Sequence, residues 1–299
     1  MVNEAIAVLG PGGVGGLLGG LLARAGRRVV FLARPATAQA LRENGLTVTS
    51  RAFGDFSVPV EADTQLREPV GACLVTVKAT ALEEALTRLP ADASGTGLLV
   101  PFLNGVDHMA LLRERYPAAD VVAGTIVVES ARVAPGRIEH ISPFALIELA
   151  SVAVERDRLD RLARLFGEAG LDVTVRDDET AILWNKASFL APMALLTTHA
   201  RAPIGTVRSE QRPTMLTVVD EITAVARASG GTVDAETVVA GLDRMSETLK
   251  SSMLRDAEAG RAIELDAIGG AVLRASERHG IGVPVTAGLV DDLRRTRRR

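Results

Sequence analysis

Aromatic side chains are scarce in this chain. Phe, Tyr and Trp make up 3% of its 299 residues. The core must therefore be built from Leu, Val, Ile and Ala, and no platform of rings for stacking single-stranded bases is expected. Cysteine is rarer still. Cys73 stands alone, which excludes an intrachain disulfide and any cysteine-cluster metal site and fits a reducing, cytoplasmic setting. The four histidines, His108, His140, His199 and His279, form no HExxH or close pair, so no metal site is expected. The net charge of −3 lacks the basic footprint of a nucleic-acid binder. The apolar stretch over 5–32 carries Arg24, Arg27, Arg28 and many glycines, so it fails as a membrane span, and no targeting segment is expected. The basic run Arg294, Arg295, Arg297, Arg298 and Arg299 reads as a solvated tail, with a phosphate-binding tail as the alternative.

What remains is an ordinary soluble balance, 47% hydrophobic and 24% charged, at a length that suits two domains. Glycine is unevenly spread. Of 28 glycines, seven fall between Gly10 and Gly20.

The pattern of apolar runs gives this cluster a place. Ile6-Ala7-Val8-Leu9 predicts a buried parallel strand, 14–25 an amphipathic helix stopped by Gly26, and Val29-Val30-Phe31-Leu32 a second strand. Together they form a βαβ unit. Further strands are expected at 73–77, 98–100, from 121 and at 173–175, with helices over 81–89, 107–115 and 158–169. An antiparallel hairpin is expected over 138–149, where the pattern alternates around Pro143. Beyond Arg176 no apolar strand run is visible. Helices are expected over 178–195, 206–229, 234–254, 264–279 and 284–295. The expected architecture is an α/β Rossmann-type domain with a parallel sheet core over 1–176, then an all-α domain over 177–299.

Gly10-Pro11-Gly12-Gly13-Val14-Gly15 fits G-x-G-x-x-G. It follows a strand and opens a helix, as a dinucleotide turn requires. Gly10 permits the tight turn and Gly12 lets a pyrophosphate approach. Gly15 packs helix on strand, and the first N–H groups of the helix face the phosphates. A ligand-free packing turn is the plainer reading. No acid lies between Gly10 and Arg42 to accept a ribose 2′-hydroxyl, and Arg34 stands at the end of the second strand. A guanidinium there suits the 2′-phosphate of NADP(H); alternatively it is an exposed loop arginine. Lys78 and Asn104 follow strand ends, where ligands bind in open α/β sheets, though Lys78 also reads as a solvated helix start and Asn104-Gly105 as a turn.

Lys186 shares a helical stripe with Ile182, Leu183, Leu190 and Met193. Partial desolvation would lower its pKa toward that of a useful proton donor, while a lysine snorkelling to solvent gives the same pattern. Glu264 opens a helix, where an acid favours the dipole. Trp184 reads as a packing residue and Ser251-Ser252 as a cap or a carboxylate contact.

Taken together, these segments resemble the ketopantoate reductase (2-dehydropantoate 2-reductase) family. The resemblance covers the glycine turn, Arg34, Val75-Thr76-Val77-Lys78-Ala79, Leu103-Asn104-Gly105-Val106 and Trp184-Asn185-Lys186. It continues through Ser251-Ser252-Met253-Leu254 with Asp256, Ile263-Glu264-Leu265-Asp266, and Gly280 to Val285. It implies NADPH-dependent reduction of a 2-oxo acid to a 2-hydroxy acid, such as 2-dehydropantoate to pantoate in pantothenate biosynthesis. Lys186 would be the catalytic proton donor, and Glu264 would hold substrate and lysine. Ser252 would contact the substrate carboxylate, and Lys78 and Asn104 would lie near the nicotinamide and the reacting carbon. It also makes a small-molecule substrate the expected partner and a homodimer the assembly to test. The resemblance breaks at Leu190, Ala194 and Leu249, where the reductases usually carry asparagine, which favours a more apolar 2-oxo acid or ketone. An NADP-binding redox sensor or regulatory protein without efficient catalysis is the alternative. A related dehydrogenase of hydroxyacids, imines or phosphorylated polyols is a third reading.

Overall fold

A computed structural model describes residues 5–90 and 97–296. The chain divides into two compact units: Met1–Leu103 with His108–Glu179, and Asn104–Asp107 with Thr180–Arg299. The sequence boundary at 176/177 thus falls three residues before the structural one, and the second unit also claims four residues from far upstream.

In the first unit, β1 (Ile6–Leu9) leads into α1 (Gly13–Arg24) and β2 (Val29–Leu32). Every residue of both strands is buried, as strands covered on both faces require. There follow α2 (Pro35–Asn44), β3 (Leu46–Ser50), β4 (Phe56–Val58), β5 (Glu61–Asp63), β6 (Ala72–Val75), α3 (Leu82–Leu86) and β7 (Leu98–Pro101). After these come α4 (His108–Arg115), β8 (Ala123–Val127), β9 (Ser130–Ala134), β10 (Arg137–His140), β11 (Leu146–Ala150), α5 (Arg156–Glu168) and β12 (Asp172–Val175). The central sheet is parallel throughout, in the order β5-β2-β1-β6-β7. The chain leaves β1 toward β2 on one side and later returns to β6 on the other. The glycine turn therefore sits at the switch point where open α/β sheets bind ligands.

Two smaller sheets depart from expectation. The hairpin is not over 138–149. It is formed by β9 and β10, and β11 belongs to a different sheet, antiparallel to β8 and parallel to β12. Pro143 lies in the crossing between them, where no ladder N–H is needed. The strand expected at 73–77 ends at Val75, because Thr76 turns its hydroxyl onto the carbonyls of Leu9 and Gly10 (3.1 and 2.8 Å).

The second unit is helical: α6 (Glu179–Ala200), α7 (Ile204–Glu210), α8 (Arg212–Ala228), α9 (Ala235–Arg244), α10 (Ser252–Glu258), α11 (Ala271–His279) and α12 (Pro284–Thr296). A π-turn over Asp266–Gly270 precedes α11. The single helix expected over 206–229 breaks at Gln211, with Pro213 in the first turn of α8, where its missing N–H costs nothing. That expected over 234–254 stops at Arg244. Ser251 then caps α10 by accepting from the Leu254 N–H at 3.1 Å. Arg294 and Arg295 lie on α12 and pair with Asp291 and Asp292, so they are not tail residues. Residues 297–299 lie outside those described. Among the described residues no helix is long and apolar enough to cross a membrane, and no cluster could hold a metal ion.

Candidate active site

The turn between β1 and α1 is shaped by missing side chains. Gly10 has φ +94°, which L side chains rarely adopt, and the Gly12 N–H closes onto its carbonyl at 2.7 Å. A Cβ at Gly15 would lie 2.2 Å from Thr76 Oγ1 and 2.4 Å from the Gly10 carbonyl. One at Gly13 would lie 2.2 Å from the Ser130 carbonyl, and Ser130 Oγ donates back to the Gly13 carbonyl at 3.0 Å. Gly16, Gly19 and Gly20 are filled by Ile138, Phe31 and Leu46. Gly12 differs from all of these. Its Cβ would meet nothing nearer than the Thr76 carbonyl at 4.0 Å. The first turn of α1 has neither a side-chain cap nor an acid, so its N–H groups face that open side uncompensated. A cradle of this kind fits a pyrophosphate. The cluster of seven glycines therefore divides into six that pack or turn and one that leaves room.

Arg34 stands two residues beyond β2 as the N-cap of α2, exposed, and among the described residues no acid pairs with its guanidinium. Lys78 is half-buried just after β6, and its carbonyl accepts from the Ala81 N–H at 2.9 Å.

The second unit gathers three polar side chains that are far apart in sequence. Lys186 lies half-buried on α6. Burial lowers its ammonium from 10.5 to about 8, with the Glu264 carboxylate pulling in the opposite direction. Glu264 is 7% exposed and accepts a 2.9 Å hydrogen bond from Asn104 Nδ2. Its carbonyl takes the Ile268 N–H, so the residue opens a helical turn as expected, yet its carboxylate is buried rather than solvated. The same unit holds a small apolar hollow lined by Val106, Trp184, Ala187, Leu190, Ile268 and Val272, among others. An ammonium held near a carboxylate, with an amide fixing that carboxylate, is an arrangement that can deliver a proton to an oxygen and stabilise the charge developing there.

Other expectations resolve differently. Of the two serines, Ser251 is the buried cap and shares a 2.7 Å hydrogen bond with Thr197, while Ser252 is exposed at the first position of α10. Asn185 is structural: its Oδ1 accepts from the Thr232 and Val233 N–H groups, and Nδ2 donates to Thr232. Glu179, at the start of α6, is a buried anchor forked onto Arg113 at 2.6 and 2.7 Å. Nothing local in the sequence pairs residues 113 and 179.

The model of the N-terminal part of ketopantoate reductase PanE/ApbA matches residues 6–151, and that of its C-terminal part matches 178–296. The chain belongs to the ketopantoate reductase family. It is accordingly an oxidoreductase of the carbonyl–carbinol class. It is 29% identical over 284 residues to the oxidoreductase YkpB of Bacillus subtilis, covering 93% of this chain and 94% of that one. It is 28% identical to 2-dehydropantoate 2-reductase of Caulobacter vibrioides over 294 residues, 95% and 96% of the two chains. The crystal structure of 2-dehydropantoate 2-reductase from Geobacter metallireducens superposes with a TM-score of 0.89 at 28% identity, covering 98% and 99%. D-Mandelate dehydrogenase, in a ternary structure with NADH and anilino(oxo)acetate, shares the fold at TM-score 0.87 and 21% identity over 96% of each chain. Of the positions that set this ketopantoate reductase relative apart in sequence, Ala194 is fully buried in the helical core. Leu190 and Leu249 are half-buried against it.

Proposed function

We propose that the protein reduces a 2-oxo acid to the 2-hydroxy acid with NADPH, the substrate being 2-dehydropantoate or a related 2-oxo acid or ketone with a more apolar side chain. The observation that carries this reading is the Lys186–Glu264–Asn104 cluster. A bound nicotinamide dinucleotide would supply the hydride. The open face of Gly12 and the first N–H groups of α1 would hold its pyrophosphate, and the Arg34 guanidinium, paired with no acid among the described residues, would hold a 2′-phosphate. Lys186, tuned to about 8, is charged at neutral pH but gives up its proton readily to the forming alkoxide. Glu264 keeps the ammonium charged against the cost of burial, and Asn104 fixes the carboxylate. Leu190, Ala194 and Leu249, standing where the reductases usually carry asparagine, offer no hydrogen bonds along their side chains, which favours an alkyl or aryl substituent over a hydroxylated one.

The test is a panel of 2-oxo acids and ketones assayed with NADPH and with NADH. Turnover with an apolar 2-oxo acid, faster with NADPH and abolished in Lys186→Ala, is the expected result. Undiminished turnover in that variant would remove the lysine from its role, and equal use of both nucleotides would remove Arg34 from its own.

A further inference from the structure

The segment Asn104–Asp107 belongs to the second unit although the chain on both sides belongs to the first. Three separate contacts hold it there. Asn104 donates to Glu264. Gly105, at φ +83°, lies so close to the π-turn that a Cβ would stand 2.2 Å from the Ala267 carbonyl. Asp107 is gripped by Arg274, whose Nε and Nη2 both donate to its Oδ2, at 3.1 and 2.7 Å.

Arg274 does more than pair with Asp107. Its Nη1 donates to Asp266 Oδ1 at 3.0 Å and its Nη2 to the Asp266 carbonyl at 3.1 Å. That carbonyl also closes the π-turn by accepting the Ala271 N–H. One guanidinium thus ties the upstream segment to the first residue of the π-turn, two residues after Glu264. Gly270 leaves the slot in which this bridge lies, since a Cβ there would be 2.4 Å from Asp266 Oδ1 and 3.0 Å from Arg274 Nη1. Isolated surface ion pairs contribute little, but a planar fork with four donated hydrogen bonds fixes geometry in a way that a flexible pair does not. π-Turns recur at functional sites, because the widened turn re-aims the side chains beside it.

We propose that Arg274 is a positioning residue: by bridging Asp107 to the π-turn at Asp266, it holds Asn104 on the Glu264 carboxylate and so holds that carboxylate beside Lys186. This rests on the reading of Lys186 as the proton donor. The hydrogen bonds of Arg274 go to Asp107 and Asp266, so its effect passes through the segment it anchors. Glu264 is the charged group acting on Lys186, and its pull opposes the effect of burial. A loosened carboxylate therefore lets the Lys186 midpoint fall.

The chain has only three lysines, Lys78, Lys186 and Lys250. Reductive 13C-methylation consequently gives three lysine resonances beside that of the N-terminal amine, and Lys186→Arg assigns the one of interest. Its pH midpoint is read in the full chain without substrate or turnover. Arg274→Lys keeps the charge but cannot span both aspartates. The midpoint of Lys186 is expected to shift down in Arg274→Lys, in Asp107→Asn and in Asn104→Ala. The Arg274→Lys and Asn104→Ala pair should shift it little further than either alone. In steady state, turnover at pH 9, a unit above the parent midpoint, falls about threefold for each half unit of that shift, with nucleotide KM unchanged. An unmoved Lys186 midpoint in both Arg274→Lys and Asp107→Asn overturns the proposal, whatever happens to Tm. If Lys186→Ala keeps its turnover, the donor assignment falls, while the midpoint shift still reports whether Arg274 positions the carboxylate.

Discussion

The glycine turn of the first unit and the lysine cluster of the second are built in opposite ways. The turn is made by leaving atoms out, so that backbone N–H groups and carbonyls approach one another and leave one open face at Gly12. The cluster is made by bringing three polar side chains from residues 104, 186 and 264 together, with the Glu264 carboxylate buried and the Lys186 ammonium desolvated. The first is sensitive to volume and indifferent to pH. The second is sensitive to charge, and tolerates changes of shape that keep the charge in place. A substitution should therefore betray which region it strikes by the kind of defect it produces.

The largest expected effect falls on the cluster. Lys186→Ala should lower turnover about 100- to 10,000-fold, the usual worth of a positioned proton donor. Its Tm should fall much less than its turnover, since the Glu264 carboxylate left behind keeps its hydrogen bond from Asn104 and the cost of burying the ammonium is removed. Turnover per site and a thermal melt of the same sample check both halves. The next effect splits the turn itself. Gly15→Ala should cost about 1–3 kcal/mol of stability through overpacking against Thr76. Gly12→Ala should leave the melt nearly unchanged yet weaken dinucleotide binding about tenfold or more, ~1.4 kcal/mol, because the methyl occupies ligand space. Equal loss of stability in the two variants would erase the distinction between packing glycines and the open one.

Arg34→Ala should raise the KM for NADPH about tenfold, within the ~1.5–3 kcal/mol of a hydrogen bond to a charged group, and leave that for NADH unaltered. The smallest effect is a displacement along the pH axis. Turnover that needs the Lys186 ammonium should fall as pH rises through about 8. Glu264→Gln removes the pull that raises that midpoint, so the fall should begin at lower pH. A pH profile unmoved by Glu264→Gln would separate the carboxylate from the lysine.

The same contrast explains what the sequence could convey. β1, α1 and β2 are legible because each is a local pattern: a buried apolar run, a glycine turn, a helical stripe and a left-handed stop at Gly26. The segment from α2 to β5 carries no such run. Its strands are short and half-exposed, and they are defined by partners elsewhere, as when β3 pairs with β10 some ninety residues later. The hairpin was displaced for a related reason: alternation marks strands but not which sheet they join. In the site, Lys186 and Glu264 were visible as residues on helices. That Asn104 reaches Glu264, or that Arg274 ties down Asp107, is long-range geometry that no spacing encodes. Family resemblance drew attention to Asn104 and Glu264, whereas Arg274 and the Arg113–Glu179 fork carried no signal at all.

Three adjacent residues of α6 carry three unrelated duties. Trp184 is buried in the helical core, Asn185 staples Thr232 and Val233, and Lys186 answers to Glu264. Successive residues of a helix differ by about 100° in direction, so these contacts act on three sides of one rod. They work as a key works in a lock, fixing rotation as well as position. A residue inserted or removed between Glu179 and Trp184 would turn all three at once, exposing the indole, freeing the loop and swinging the ammonium away from its carboxylate. Changes in chain length around this donor can be absorbed only beyond the start of α6, which makes the helix a ruler for the site as well as its support.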